Sequence, residues 1–329
     1  MDNKITKKRL SEFIQYEWIK IVALALCVCL AWRLVFISIG AVGNRLTIGQ
    51  QFNIYYSSDI DGNCLTSAQA DFGLNAGVLS YEVQEFSVSQ LDSSYTSTQL
   101  TVWLSEGFGD LMICSNKTTE NRKVSFFEDL IDNYGSNTDF DTLYQDAYSY
   151  AENFMKDKTA SDPLALTNID GEKVKSAFRE RLGDDNRFKT AEQKADGEKK
   201  EQARIEKHFY NVKALGKILT EDIFVEYVKY SASYLNGNQT VKDRLKENYE
   251  EELSSEKPAK KYAIDFSKIP QTEGKSSIAK YGVLFGETEE NHAVLTVFDS
   301  KRFQPDLHYE TLSVIVEIIK NTTNILEDL

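Results

Sequence analysis

Residues 21–42 form an apolar run with a single charged residue, Arg33, and this run constrains the chain more than any other feature. A helix rises about 1.5 Å per residue, so roughly twenty residues cross the ~30 Å hydrocarbon layer of a membrane. The preceding segment carries an excess of basic residues: Lys4, Lys7, Lys8, Arg9 and Lys20. Because basic flanks stay in the cytoplasm, the run predicts a single-pass anchor. Residues 1–20 would be cytoplasmic or interfacial, and residues 44–329 would be extracellular.

The run has two other interpretations. A cleaved signal peptide would be processed near residues 38–40, but its apolar core is ordinarily only about 7–15 residues long. A lipoprotein signal would acylate Cys27 or Cys29, yet the residues before them are larger than those usual at such a site. Length therefore favours the uncleaved transmembrane helix. Its Arg33 either extends to the outer interface or contacts a polar group of a partner membrane protein.

The acidic balance of the outer part limits its partners. The chain has a net charge of −13, and residues 1–43 hold six basic and three acidic groups, so residues 44–329 stand at −16. A surface of this sign argues against nucleic acid and against anionic lipid as partners. A hydrophobic content of 41% with 27% charged residues is typical of a globular domain rather than of a disordered tail.

Cysteine and histidine are too sparse for a disulfide scaffold or a metal centre. Outside the predicted span only Cys64 and Cys114 occur, so one disulfide at most can form. The three histidines, His208, His292 and His308, lack metal-ligand spacing. The sequence therefore predicts no metal and no cofactor.

Hydrophobic patterns divide the outer part into three stretches. In residues 46–115, the predicted strands are 52–56, 78–88 and 110–114, with helices at 64–74 and 98–107. This alternation favours a mostly parallel sheet covered on both faces. Residues 125–256 are predicted to be mainly helical. Within them, 183–207 is so charged that a solvated helix or mobile loop is expected, and 218–235 has an amphipathic helical pattern.

The third stretch, residues 260–329, returns to α/β character. Strands are predicted at 262–266, 281–285 and 293–298, followed by a helix over 308–329.

Segments at both ends of the outer part resemble the extracellular solute-binding proteins of ABC transporters, which have the type II periplasmic-binding fold. The first is residues 81–86 followed by 100–113, where a helix leads into a Gly-Asp turn and a strand. The second is residues 262–267 with the region of Gly282 and Asn291. The head of the chain, residues 7–20, resembles membrane-anchored proteins of Gram-positive bacteria that accompany sugar-transporter permeases.

This resemblance implies an α/β fold with two lobes and a helical middle. It also implies that the protein binds a small solute, with sugars as candidates, and that an ABC permease is its partner. The chain departs from the family in two ways, because its outer part is shorter and a membrane span replaces the usual lipid anchor.

Candidate ligand-binding residues lie in the first α/β stretch. Aromatic faces are the groups that stack on sugar rings, and Tyr55, Tyr56 and Trp103 cluster there in sequence. Asp110, in the Gly-Asp turn of the resemblance, completes the predicted ligand-binding set. The alternative for each of these aromatics is a buried, structural role.

Motifs of catalysis are weak, so no enzyme is predicted. Gly107-Phe108-Gly109-Asp110 matches a signature of intramembrane aspartyl proteases, but it lies far from the only predicted span. Residues 59–63 resemble a calcium loop whose twelfth position would be Ala70, which is not an acid. The phosphate-binding loop, the nucleophile elbow and the zinc-protease motif are absent from the sequence.

The sequence thus predicts a membrane-anchored, extracytoplasmic solute-binding-like or accessory component of an ABC importer. The alternative is an anchored structural or assembly protein of the cell envelope, which docks a partner through its acidic helical middle and binds no small molecule.

Overall fold

The computed structural model describes residues 28, 46, 48–91, 100, 102, 109–118, 125–134, 137–182, 185–228, 259–287, 291–298 and 308–329. The chain divides into two compact units, Met1–Thr47 and Ile48–Leu329. Within the described ranges no helix is both long and apolar enough to cross a membrane. The predicted span at 21–42 lies outside those ranges apart from Val28, and so does Trp103.

In the described residues, seven strands form one mixed sheet. They are β1 (Gln51–Tyr56), β2 (Glu85–Gln90), β3 (Leu111–Ser115), β4 (Asn137–Thr138), β5 (Phe224–Tyr227), β6 (Lys260–Asp265) and β7 (Ala293–Phe298). Their order is β2-β1-β3-β7-β6-β5, and β4 pairs with the end of β7. β1 is parallel to β2 and β3, whereas β7 is antiparallel to its neighbours and β5 is antiparallel to β6. The α/β class is confirmed, with a mixed rather than a mostly parallel sheet.

The sheet joins the two α/β stretches that carry the resemblance to solute-binding proteins. β3 from the first stretch lies beside β7 from the second, with Leu111 paired to Val297 and Ser115 to Ala293. Every residue of both strands is buried, because each strand carries apolar side chains on both faces. Such strands are stable only inside a sheet covered on both sides. The described residues therefore form one sheet rather than two lobes around a hinge.

Six helices are described around this sheet: α1 (Asn63–Phe72), α2 (Phe126–Tyr134), α3 (Phe140–Glu152), α4 (Gly171–Leu182), α5 (Ala191–Ile218) and α6 (His308–Thr322). Side-chain caps fix where several of them begin, including α3 and α5. Asp139 accepts a hydrogen bond from Thr142 N at 2.9 Å before α3. Thr190 and Gln193 form a reciprocal capping box before α5.

Both faces of the sheet are buried, in cores of different size. On the larger face, Phe52, Ile54 and Tyr56 of β1 pack with residues of α1, α3, α5 and α6. On the smaller face, Met112 of β3 packs with Phe127 of α2 and its neighbours. A third cluster lies among the helices and joins α3, α4 and α5.

Two predicted elements of the sheet are replaced by loops held by side chains. Where the sequence predicts a strand at 78–88, the strand observed is Glu85–Gln90, because the side chains of 80–82 bond to the helices instead of the sheet. Residues 281–285 form a turn with one bridge, from Leu284 to Ile60. There Gly282 packs so closely that a Cβ would lie 2.6 Å from Phe266 and 2.8 Å from Ile113.

The helix predicted at 218–235 is wrong in its described part. α5 ends at Ile218, and β5 follows, with Phe224 and Val225 paired to Ile264 and Ala263 of β6. Pairing with a neighbouring strand has overridden the helical period of this short apolar segment.

Cys64 and Cys114 are both buried free thiols. Cys64 belongs to the larger core and Cys114 to the smaller one, so the sheet separates them. The one disulfide that the sequence allowed outside the span is therefore not formed.

Candidate functional site

A cleft of about 480 Å³ opens at the edge of the sheet where β3 and β6 end and β7 begins. Asn116 follows β3, Asp265 ends β6, and His292 precedes β7; all three line the cleft. In open α/β sheets, ligands bind in the crevice outside the carboxyl ends of the strands. Both the position of this cleft and its volume are those expected of a site for a small molecule.

Local turns of the chain hold the polar residues of this strand-end cleft in place. Asp265 Oδ1 accepts from Ser267 N at 3.0 Å and from Ser267 Oγ at 2.7 Å, so Asp265 caps the short helical turn at 266–268. Asn291 Nδ2 donates to Gly282 O at 2.8 Å, and its Oδ1 accepts from Ala293 N at 3.0 Å. These bonds fix Asp265 and Asn291 before any ligand arrives.

An ionic group borders the cleft beside His292. His292 Nδ1 lies 3.0 Å from Glu287 Oε1, and Lys117 Nζ lies 2.6 Å from the same oxygen. Burial raises the pKa of Glu287, but the hydrogen bonds from Lys117 and His292 outweigh it and hold that pKa below its ordinary value. Glu287 is therefore ionised at neutral pH, and it neutralises the Lys117 ammonium.

The lining of the cleft suits recognition of a polar solute rather than metal chemistry. Amide, hydroxyl and carboxylate groups surround an apolar floor of Phe266, Ile269 and Ile278. No group of three or more His, Cys, Asp or Glu side chains able to hold a metal occurs among the described residues. Sites of this kind bind through apolar contact and a few placed hydrogen bonds.

A buried ionic network lies among the helices. Arg181 bridges two carboxylates, with Nη1 2.7 Å from Glu82 Oε1 and Nη2 2.9 Å from Glu201 Oε1. Arg204 Nη1 lies 3.3 Å from Glu201 Oε1, and Tyr81 Oη donates to Glu201 Oε2 at 2.7 Å. The network attaches the loop before β2 to α4 and α5. Removing one member of a buried pair typically costs about 3–5 kcal/mol, so this cluster has a structural role.

Sequence reasoning missed this network because two of its members, Glu201 and Arg204, lie within the charged segment 183–207. Glu201 and Arg204 are buried there, on the same helix face as Ile205 and His208. Ile205 follows Glu201 by four residues, and His208 follows Arg204 by four. This helical spacing is the signal that could have revealed a buried face.

A second cleft, of about 430 Å³, lies between α3 and α4 next to the network. Its cations are engaged by the protein itself. Arg181 bonds to Glu82 and Glu201, and Lys173 Nζ donates to Met155 O at 2.6 Å. Compared with the strand-end cleft, it offers less to a ligand.

The predicted ligand-binding residues lie within the protein and not in either cleft, as far as they are described. Tyr55 packs edge-on against Phe298 in the smaller core. Tyr56 is fully buried, and its Oη donates to Tyr281 O at 3.0 Å. Asp110 Oδ2 accepts from Asn53 N at 2.8 Å at the start of β3. These three positions are held by structural contacts, and the role predicted for Trp103 concerns a residue outside the described ranges.

Comparison with protein families, with curated proteins and with solved structures gave no match.

Proposed function

We propose that the chain is a membrane-anchored, extracytoplasmic component of an ABC importer, and that its unit 48–329 binds a small polar solute in the strand-end cleft. The observation that carries this proposal is the cleft itself, which combines a polar lining, an apolar floor and a position outside the ends of β3 and β6. A sugar is the first candidate, since hydroxyl groups suit a lining of amide and carboxylate groups.

The extracellular location rests on the sequence. The apolar run at 21–42 follows a basic segment, and the rest of the chain is strongly acidic. The permease partner follows from the resemblance to solute-binding proteins. In this proposal the solute binds without closure of two lobes, because one continuous sheet leaves no hinge between the α/β stretches.

The same continuous sheet favours a second candidate function, that of an anchored assembly protein with no ligand. A protein that cannot close on a solute could still hold a permease or an envelope partner in place. The two candidates differ in one measurable property, which is whether a solute stabilises the folded protein.

The test uses the full-length protein in detergent micelles and follows its melting with sugars, oligosaccharides and amino acids. A solute at about a hundred times its dissociation constant adds ~2.7 kcal/mol of apparent stability. We expect the shift to weaken in Gln271→Ala, which alters the strand-end cleft, and to persist in Gln202→Ala, which lies on α5 outside it.

Two outcomes would count against solute binding. If no solute shifts the melting while the protein co-purifies with a permease, the assembly function is supported. If neither occurs, the assignment to an importer is wrong.

A further inference from the structure

The strand-end cleft has polar atoms that the protein's own hydrogen bonds leave available. Asp265 uses Oδ1 for its cap, Gln271 uses Nε2 to donate to Ser276 O, and Asn116 uses Oδ1 to accept from Ser125 Oγ. Within the described ranges, Asp265 Oδ2, Gln271 Oε1 and Asn116 Nδ2 make no hydrogen bond. A ligand therefore meets two acceptors, one of them a carboxylate, and one amide donor.

Among the described residues that line this cleft, His292 is the basic side chain; it is paired with Glu287, and the nearby lysines are engaged elsewhere. Lys117 is paired with Glu287 at 2.6 Å. Lys268 Nζ donates to Phe224 O at 2.9 Å, and Lys280 Nζ lies 2.5 Å from Asp71 Oδ2. Within the described part of the lining, Asp265 is therefore not paired with a lysine or an arginine.

Charge and hydrogen bonding together define the ligand class. An anionic ligand would bring a like charge near Asp265, and the amide donor that the described contacts leave for it is Asn116 Nδ2. An uncharged polyol can donate hydroxyl protons to Asp265 and Gln271 and accept from Asn116. Hydrogen bonds to an ionised acceptor are roughly twice as strong as neutral ones, so Asp265 contributes most to the discrimination.

Resting on the proposed solute-binding function, we infer that the strand-end cleft selects uncharged, hydroxyl-rich solutes and rejects their anionic counterparts, with Asp265 as the specificity-determining residue. Specificity of this kind combines an attractive contact with a repulsive one, and a single carboxylate supplies both. An ammonium-bearing analogue is accepted, because its charge is opposite to that of Asp265.

The test measures binding to the full-length protein in micelles by isothermal titration, with three sets of probes that share a skeleton. These are neutral hexoses and disaccharides, their amino-sugar analogues, and the corresponding uronic acids and sugar phosphates. We expect neutral or amino members to bind and the anionic analogue of the best binder to bind at least tenfold more weakly. Tenfold corresponds to about 1.4 kcal/mol.

Asp265→Asn is the decisive variant, because asparagine keeps the Oδ1 cap and removes the charge. Asp265→Asn should weaken binding of the neutral solute several-fold. It should also reduce the difference in affinity between the neutral and anionic members of a set. Asp328→Asn, the same change at an exposed site near the carboxyl terminus, should alter neither. Gln271→Lys places a cation on an exposed part of the cleft and should increase the affinity for anionic members, so the inference stays testable if Asp265→Asn fails to fold.

Three results separate this inference from the proposed function. If an anionic sugar binds as tightly as its neutral analogue, the charge selection is overturned while solute binding stands. The same conclusion follows if Asp265→Asn leaves the affinities of both unchanged. If no member of any set binds, the proposed function fails, and this inference fails with it.

Discussion

At the scale of single residues, His208 on α5 is held neutral by its surroundings. The ring is fully buried, and Nε2 lies 2.9 Å from Ala147 O, so this nitrogen carries the proton and donates it. Nδ1 has no hydrogen-bond partner in the part of the chain that the structure describes. Burial, with a smaller contribution from the nearby Arg204 and His308, lowers the pKa of His208 from 6.5 to about 3, although the hydrogen bond to Ala147 O partly opposes the shift.

This pKa predicts a loss of stability in mild acid. Because the folded-state pKa lies below the unfolded-state value, the unfolded chain takes up the proton first as the pH falls. The contribution of His208 is therefore complete above about pH 6.5 and is lost progressively towards pH 3. His208→Gln, whose amide can still donate to Ala147 O, should reduce the slope of unfolding free energy against pH between 6 and 5 by roughly 1 kcal/mol per pH unit.

The measurement is chemical unfolding of the full-length protein at a series of pH values. His292→Gln provides the control, since His292 is partly exposed beside Glu287 and precedes β7 instead of lying on a buried helix face. If wild type and His208→Gln have equal slopes of unfolding free energy against pH, another group causes the loss of stability in acid.

At the scale of elements, the contact between α4 and α5 depends on a glycine inside a helix. A Cβ at Gly197 would lie 2.3 Å from Phe178 Cζ and 2.9 Å from Phe188 Cδ1. Glycine costs about 1 kcal/mol relative to alanine in a helix interior, so its presence here is explained by close packing and not by helix propensity.

Gly197→Ala should therefore destabilise the protein in spite of the gain in helix propensity. Overpacking of a close contact costs about 1–3 kcal/mol, and two rings would have to move. Gly171→Ala at the start of α4 is the matched control, because its Cβ would meet nothing closer than 3.7 Å. Thermal melting should show a decrease for the first variant and little change for the second. A stabilised Gly197→Ala would mean that Phe178 and Phe188 can repack freely.

At the scale of the whole molecule, the proposed topology can be tested by labelling, because the native thiols give little background. Cys64 and Cys114 are buried, and Cys27 and Cys29 lie in the predicted span. A membrane-impermeant maleimide should label Ser161→Cys, at an exposed position, in intact cells. It should label Asn3→Cys only after lysis. Labelling of Ser161→Cys only after lysis would contradict an extracellular unit.

Much of the architecture follows from local patterns in the sequence. The strands β1, β3, β6 and β7 and the helix α1 lie within a few residues of their predicted bounds, since each has a clear apolar period and a turn signal at its ends. The α/β class follows from their alternation. These features depend on neighbours along the chain, which the sequence displays directly.

Other features were decided by contacts between distant residues. The single sheet depends on Leu111 meeting Val297, the buried ionic network depends on Glu82 reaching Arg181, and the strand-end cleft depends on Asn116 lying near Asp265. None of these pairs is close in sequence. Tyr56 and Asp110 have the residue types of a binding site, but Tyr56 bonds to Tyr281 O in the core and Asp110 bonds to Asn53 N at the start of β3. The sequence alone determined the acidic charge, the apolar amino-terminal run and most of the elements. Only the tertiary structure decided which side chains face a cleft, because burial and pairing depend on packing between segments that lie far apart along the chain.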